Sequence, residues 1–151
     1  MPRSAPGPPS VLQVLNREAK GDLAELKVAA DLRARGYRIA IPYGEDWDYD
    51  LILCRERLLE RVQVKYARSA EGRIVVRCRS HSLTNGKVRR TKRYTEKLID
   101  WLAVYDAATE AIFYIPAEVL GDGMSELTLR LLPARNNQRR GVRPADSYRT
   151  I

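Results

Sequence analysis

Three polar side chains interrupt a segment that otherwise has the pattern of two β-strands, YDLILCRERLLERVQVKYA at residues 49–67. Asp50 lies near the start of the first strand, and Gln63 and Lys65 lie within the second. Because side chains alternate along a strand, Gln63 and Lys65 share one face, and the valines beside Gln63 share the other. The pattern therefore predicts polar groups on one face of a hairpin whose other face is apolar.

The turn of this hairpin decides which residues oppose each other. A turn at Glu56-Arg57 places Asp50 opposite Gln63 and makes Lys65 its diagonal neighbour, with Cβ atoms about 5 Å and about 7–8 Å away. Carboxylate and amide oxygens suit Mg²⁺, and an adjacent ammonium can steer a water or stabilise charge on a phosphate. Taken singly, Asp50 also fits a turn, and the other two fit a solvent-exposed face. Their meeting at one point favours a site with chemistry.

One helix and further strands are predicted around the hairpin. Asp22 and Glu25 have the spacing of a capping box, and Gly36 is a suitable stop, so a helix is predicted at about residues 22–35. VLQVLNREAK before it has the pattern of a short helical lead-in, and HSLTNGKVRRTKR that of a basic loop turning at Asn85-Gly86. The predicted further strands are YRIAIP, RIVVRCRS, DWLAVYD, AIFYIP and ELTLRLL, with short helical turns at PAEVL and ADSYR. This order predicts an α/β domain around a mixed sheet.

Length and composition set the broad class. The 151 residues and 44% apolar content fit one domain at residues 11–151, after a Pro-, Ser- and Gly-rich tail at residues 1–10 that is predicted to be disordered. No apolar run approaches ~18 residues and the N-terminus lacks an apolar signal segment, so neither a membrane span nor secretion is expected. Cys54 and Cys78 are predicted to be free thiols, which favours the cytoplasm. With one histidine, His81, a zinc site is not expected.

The charge favours a polyanionic partner. The chain carries 27 Lys and Arg against 19 Asp and Glu, for a net charge of +8. Much of the excess lies between residues 77 and 97, where Glu96 is the only acid. The basic residues of this run are Arg77, Arg79, Lys87, Arg89, Arg90, Lys92, Arg93 and Lys97. A solvated loop is the alternative explanation for such a run, and the basic chain as a whole favours nucleic acid.

An acid at a strand start, a short hairpin, and then an acid or amide two residues before a lysine resemble the PD-(D/E)xK nuclease superfamily. KGDLAE on the preceding helix resembles the segment that carries a glutamate in archaeal Holliday-junction resolvases and in group I intron homing endonucleases; here that glutamate is Glu25. The wider superfamily has Asp or Glu where this chain has Gln63, and the intron-endonuclease branch is similar in using Gln. IDWLAVYD, FYIPAEV and LTLRLLPARNNQ also resemble that branch, so the resemblance covers roughly residues 20–150.

The resemblance implies a restriction-endonuclease-like fold, a mixed β-sheet core flanked by helices, and metal-assisted hydrolysis of DNA. Its catalytic residues would be Glu25, Asp50, Gln63 and Lys65, with Mg²⁺ held by Asp50, Gln63 and Glu25 and with Mn²⁺ able to substitute. Asp48 is the reserve for Asp50, and Glu25 has the capping box as its alternative role.

The implied partner is double-stranded DNA. Phosphates would be bound by the basic run and by tail residues Arg135, Arg139, Arg140 and Arg143, and adenine edges would be read by Asn136, Asn137 and Gln138. Because cutting both strands usually requires two sites, a homodimer or homotetramer is expected. The alternatives are a Holliday-junction resolvase, another structure-specific, restriction-type or repair nuclease, and a catalytically inactive DNA-binding module.

Overall fold

A computed structural model describes residues 15–84, 87–133, 136 and 141–151. The predicted tail at residues 1–10 lies outside this part. The elements are α1 (Arg17–Ala34), β1 (Arg38–Ala40), β2 (Leu51–Arg55), β3 (Leu58–Ala67), β4 (Arg73–Arg77), β5 (Arg79–Thr84), β6 (Lys87–Arg93), β7 (Trp101–Asp106), β8 (Ile112–Pro116) and β9 (Glu126–Arg130), with short 3-10 helices at Ala117–Leu120 and Ala145–Tyr148. In the described chain, no helix combines the length and apolar character needed to cross a bilayer.

A five-stranded sheet in the order β1-β2-β3-β7-β8 forms the centre of the fold. The β3–β7 pair is parallel and the other pairs are antiparallel, so the sheet is mixed, as predicted for an α/β domain. Two smaller antiparallel pairs, β4–β9 and β5–β6, complete the strands. Strand β3 is therefore the central strand, and it carries both Gln63 and Lys65.

The two faces of the central sheet are covered by different layers. Helix α1 packs on one face through Ala24, Val28 and Leu32, which recur at the helical spacing of four residues. This layer contacts the β3 residues Val62 and Val64. The other face packs against the inward side chains of β4 and β9, which are Ile74, Val76, Leu127 and Leu129. The alternation along β3 thus directs its valines to the helix and Gln63 and Lys65 to the opposite face.

Helix α1 begins earlier than the sequence predicts. Its N-cap is Asn16, whose Oδ1 accepts a hydrogen bond from the Ala19 N–H at 2.8 Å. Asp22 and Glu25 therefore lie inside the helix, and the predicted capping box is wrong. Both Asn16 and Asp22 are good cap residues, and residues 17–20 at the end of the lead-in segment belong to the same helix. Gly36, with φ of 89°, ends the helix in the left-handed conformation, as expected.

The predicted basic loop is instead a β-hairpin. Strands β5 and β6 pair antiparallel from Arg79↔Arg93 to Thr84↔Lys87, with an irregularity between Ser82 and Leu83. Polar residues occupy both faces of these strands, so the apolar alternation that identifies a half-buried strand is absent from the sequence. The predicted turn at residues 85–86 lies outside the described chain.

Candidate active site

The β2–β3 hairpin has the register that the sequence predicts. Its pairs run from Leu51↔Val62 to Arg55↔Leu58. Asp50 precedes the first pair, and its N–H donates to the Val62 carbonyl at 2.9 Å, so Val62 faces both Asp50 and Leu51 and the ladder is irregular where β2 begins. The polar turn and the alternation of side chains fix this register locally, which is why it could be derived from the sequence.

The Asp50 carboxylate is held at the end of β2 by the backbone of β3. Its Oδ2 atom accepts a hydrogen bond from the Val64 N–H at 2.8 Å. On β3, Gln63 is only 8% exposed, and its Nε2 donates to the Val64 carbonyl at 3.3 Å. This bond uses the amide nitrogen of Gln63, so the amide oxygen is the Gln63 atom that could bind a cation.

Helix α1 brings a second carboxylate to this point. Glu25 follows the buried Ala24, so its side chain lies beside the helix face that packs on the sheet. Burial, together with the smaller effects of the neighbouring Asp50 and Asp22 carboxylates, raises the pKa of Glu25 to about 7. Burial likewise raises the pKa of Asp50, against the opposing effects of the Val64 N–H and Lys65. Glu25 and Asp50 are thus close enough to repel each other.

The Lys65 ammonium is the cation next to Asp50. Burial lowers the pKa of Lys65, and the Asp50 carboxylate partly offsets this by stabilising the charged form. The ammonium nitrogen lies 5.1 Å from the centroid of the Tyr94 ring. The Cys78 thiol is another neighbour: it is fully buried, and burial raises its pKa to about 11. Cys78 is therefore a neutral thiol, not a metal-binding thiolate.

The donor set fits a hard divalent cation. In the described chain no group of three or more Asp, Glu, His or Cys side chains could hold a metal. The available oxygens are the carboxylates of Glu25 and Asp50 and the amide of Gln63, which are the ligand types that Mg²⁺ accepts. Two carboxylates with raised pKa values also favour a positive ion, because a cation relieves their mutual repulsion.

Asp48 and Lys92 are engaged with each other. Their side chains form an ion pair that joins the loop before Asp50 to strand β6. The Asp48 carboxylate is thus paired with Lys92, whereas the Val64 N–H bonds to Asp50. Sequence reasoning missed this ion pair and the contact of Tyr94 with Lys65. The only signal was that Lys92 and Tyr94, which are two residues apart, lie on the same side of an extended segment.

The predicted DNA-binding residues are spread over different surfaces. Alternation along β5 and β6 places Lys92 on the face of Tyr94, and Arg79 and Arg93 on the opposite face. Arg77 on β4 is exposed, as are Arg93, Lys97 and Asn136. Lys87, Arg89 and Arg90 lie in β6. The tail residues Arg135, Asn137, Gln138, Arg139 and Arg140 lie outside the described residues, and the Arg143 carbonyl accepts from the Arg130 N–H at 2.8 Å.

Comparisons with known proteins agree with this fold. A solved bacterial homing endonuclease, I-Ssp6803I, is 26% identical to the chain, with a TM-score of 0.72 over 89% of each protein. The comparison with curated proteins gave no match. A sequence model described as PD-(D/E)XK endonuclease matches residues 15–151. The resemblance and the fold class inferred from the sequence are confirmed, and the chain belongs to the PD-(D/E)XK endonuclease family.

Proposed function

We propose that this endonuclease cuts double-stranded DNA at a long specific sequence, as a homing-type enzyme that depends on Mg²⁺ and accepts Mn²⁺. The observation that carries the proposal is the position of Asp50: its carboxylate is fixed by the Val64 N–H and has Glu25 and Lys65 as charged neighbours. The homing-type assignment is supported by the likeness to I-Ssp6803I and by the Gln63-x-Lys65 triplet.

The proposed reaction is hydrolysis of one phosphodiester. Water adds to phosphorus and one P–O ester bond breaks, which leaves a phosphate monoester on one strand end and a hydroxyl on the other. Asp50, Gln63 and Glu25 would hold the cation, which when bound neutralises the growing phosphate charge. Lys65 donates hydrogen bonds from its ammonium to the attacking water and to a phosphate oxygen. Glu25, with its pKa near 7, orients that water through its carboxylate.

The direct test is cleavage of a library of long random duplexes by the purified protein. A homing-type enzyme should select one extended sequence in Mg²⁺ or Mn²⁺ and give no product in EDTA. Preferred cutting of four-way junctions over linear duplex would favour the resolvase alternative. DNA binding without cleavage in either cation would favour the inactive binding module.

Glu25 predicts a pH-dependent stability in the absence of metal. Its pKa is about 7 in the folded protein against 4.5 for the free side chain, so its contribution is fully present below pH 4.5 and is lost as pH rises through about 7. In EDTA, Glu25→Gln should therefore be more stable than the parent at about pH 8.5, by roughly 1–2 kcal/mol after allowance for solvent screening. Thermal melts across pH measure this.

The same melts with Mg²⁺ provide the control. Because the cation binds the folded parent through Glu25, added Mg²⁺ should raise the Tm of the parent more than that of Glu25→Gln at high pH. A parent and variant that differ equally at every pH, with or without Mg²⁺, would contradict the assignment of Glu25.

The basic surface predicts how DNA binding depends on salt. Arg77 and Arg93 are exposed, and each is proposed to contact a phosphate. Replacing either by Gln should reduce the slope of log K against log salt by about 0.9, since one fewer counterion is released. Titrations of labelled duplex at several salt concentrations measure the slope. Arg57→Gln, at the exposed tip of the β2–β3 hairpin, is the matched control and should leave it unchanged.

The proposed enzyme acts as a homodimer or homotetramer, because cutting both strands at one site needs two active sites related by two-fold symmetry. Sedimentation of the protein bound to its target measures this. A monomer that cuts both strands would contradict it.

A further inference from the structure

Tyr94 is a buried aromatic residue that directly follows strand β6. It is 4% exposed, and its ring centroid lies 5.1 Å from the Lys65 ammonium nitrogen. This distance is within the range at which the face of an aromatic ring attracts a cation. The sequence did not indicate that Tyr94 contacts Lys65, because the two residues lie far apart in the chain.

The hairpin β5–β6 fixes the position of the Tyr94 ring. The Tyr94 N–H donates to the Cys78 carbonyl at 3.1 Å, which extends the ladder one step beyond the Arg79↔Arg93 pair. The Ser80 side chain on β5 lies beside the phenol group and lowers its pKa, against the larger effect of burial. Backbone and side chain thus anchor Tyr94 at the base of the hairpin.

The Lys65 ammonium must be held in one position if it is to act on the phosphate. A lysine side chain has four rotatable carbons and a point charge, so it loses much rotamer freedom when held in one place. Its oppositely charged neighbour is Asp50, whose carboxylate is engaged by the Val64 N–H and is a proposed cation ligand. A ring face attracts the ammonium without competing for the cation or for the phosphate, because it has no lone-pair donor directed at either.

We propose that Tyr94 is a positioning residue for Lys65: its ring holds the ammonium where the amine acts on the phosphate. This inference rests on the proposed function, since it needs Lys65 to take part in cleavage. The inference predicts that full cleavage rate requires the aromatic ring of Tyr94 but not its phenol hydroxyl.

The test measures single-turnover cleavage at saturating DNA and Mg²⁺. Tyr94→Leu keeps an apolar side chain of moderate size and removes the ring, so the rate should fall by about 3- to 30-fold with unchanged affinity for DNA. Tyr94→Phe keeps the ring and should retain the parent rate. The matched control is Tyr66→Leu on the opposite face of β3, where the ring contacts Lys20 at 5.6 Å; its rate should stay at that of the parent.

A double-mutant cycle with Lys65→Met separates positioning from general packing. If Tyr94 acts through Lys65, adding Tyr94→Leu to Lys65→Met should cause no further loss. An equal loss in both backgrounds, or a Tyr94→Phe rate as low as that of Tyr94→Leu, would overturn the proposal. If Lys65→Met itself cleaves like the parent, the proposed function of Lys65 fails instead.

A crystal structure of the Tyr94→Leu protein tests the inference independently of activity. The Lys65 ammonium should be displaced or take several positions in this variant and keep its place in Tyr94→Phe. An unmoved ammonium in Tyr94→Leu would show that the ring does not position it.

Discussion

Asp50→Asn is expected to reduce DNA cleavage by on the order of 10³-fold while leaving the fold and DNA affinity largely intact. The amide has the size of the carboxylate and keeps an oxygen that can accept from the Val64 N–H, so the end of β2 stays in place. What the substitution removes is the negative charge that would hold the cation beside the phosphate. Single-turnover cleavage, circular dichroism and duplex binding measure the three properties separately.

Asp48→Asn is the matched control for this prediction. Asp48 precedes Asp50 by two residues, and its carboxylate is paired with Lys92, not held by the Val64 N–H. Its loss should change cleavage by less than about 10-fold, through a looser loop and not through the loss of a cation ligand. If the two variants lose activity equally, or if Asp50→Asn cleaves at the parent rate, the choice of Asp50 is wrong.

The part of the candidate site that could be predicted is the part determined by local rules. A polar turn and the two-residue repeat of a strand were sufficient to predict the register of β2 on β3, which the structure has from Leu51↔Val62 to Arg55↔Leu58, while Asp50 itself bonds through its N–H to Val62 and not to Gln63. The approach of Glu25 to Asp50 was inferred from resemblance, because no local rule says which point of a sheet a helix crosses.

The errors lie where local signals were ambiguous or absent. Asn16 and Asp22 are comparable N-caps, and cap preference alone does not choose between them; the helix that forms starts at the earlier one. In β5 and β6 every pair except Leu83↔Val88 joins polar residues, so neither face carries an apolar stripe. The Tyr94–Lys65 and Asp48–Lys92 contacts depend on the β5–β6 hairpin, and because the hairpin was not predicted, neither contact was.

The burial and the hydrogen bonds of the Asp106 carboxylate were not predicted from the sequence. Asp106 is the last residue of the predicted strand DWLAVYD, and no sequence pattern indicated that its side chain is buried, yet it is 0% exposed. Its Oδ1 accepts from the Ser69 N–H at 2.7 Å and the Ala108 N–H at 3.2 Å, and its Oδ2 accepts from the Ser69 hydroxyl at 2.8 Å and the Thr109 hydroxyl at 2.6 Å. Burial alone would raise the pKa of Asp106, but these hydrogen bonds outweigh it and lower the pKa below its ordinary value.

Asp106→Ala is expected to destabilise the protein by about 2–3 kcal/mol, because it removes the buried carboxylate that accepts four hydrogen bonds from Ser69, Ala108 and Thr109. These hydrogen bonds join the end of β3 to the β7–β8 turn, so their loss loosens the strands that carry the site. Urea unfolding measures the change. Asp146→Ala, which removes an exposed carboxylate from the last 3-10 helix, is the matched control and should stay within about 0.5 kcal/mol.

The pH dependence of this effect has a definite sign. Because folding lowers the pKa of Asp106, its ionised form stabilises the protein above the free-side-chain value of 3.8, and that contribution is lost as pH falls through the folded value. The difference in unfolding free energy between parent and Asp106→Ala should therefore be largest near neutral pH and should narrow in acid. A difference that grows on acidification would mean that Asp106 is protonated in the folded protein, and that its neighbours do not stabilise a carboxylate.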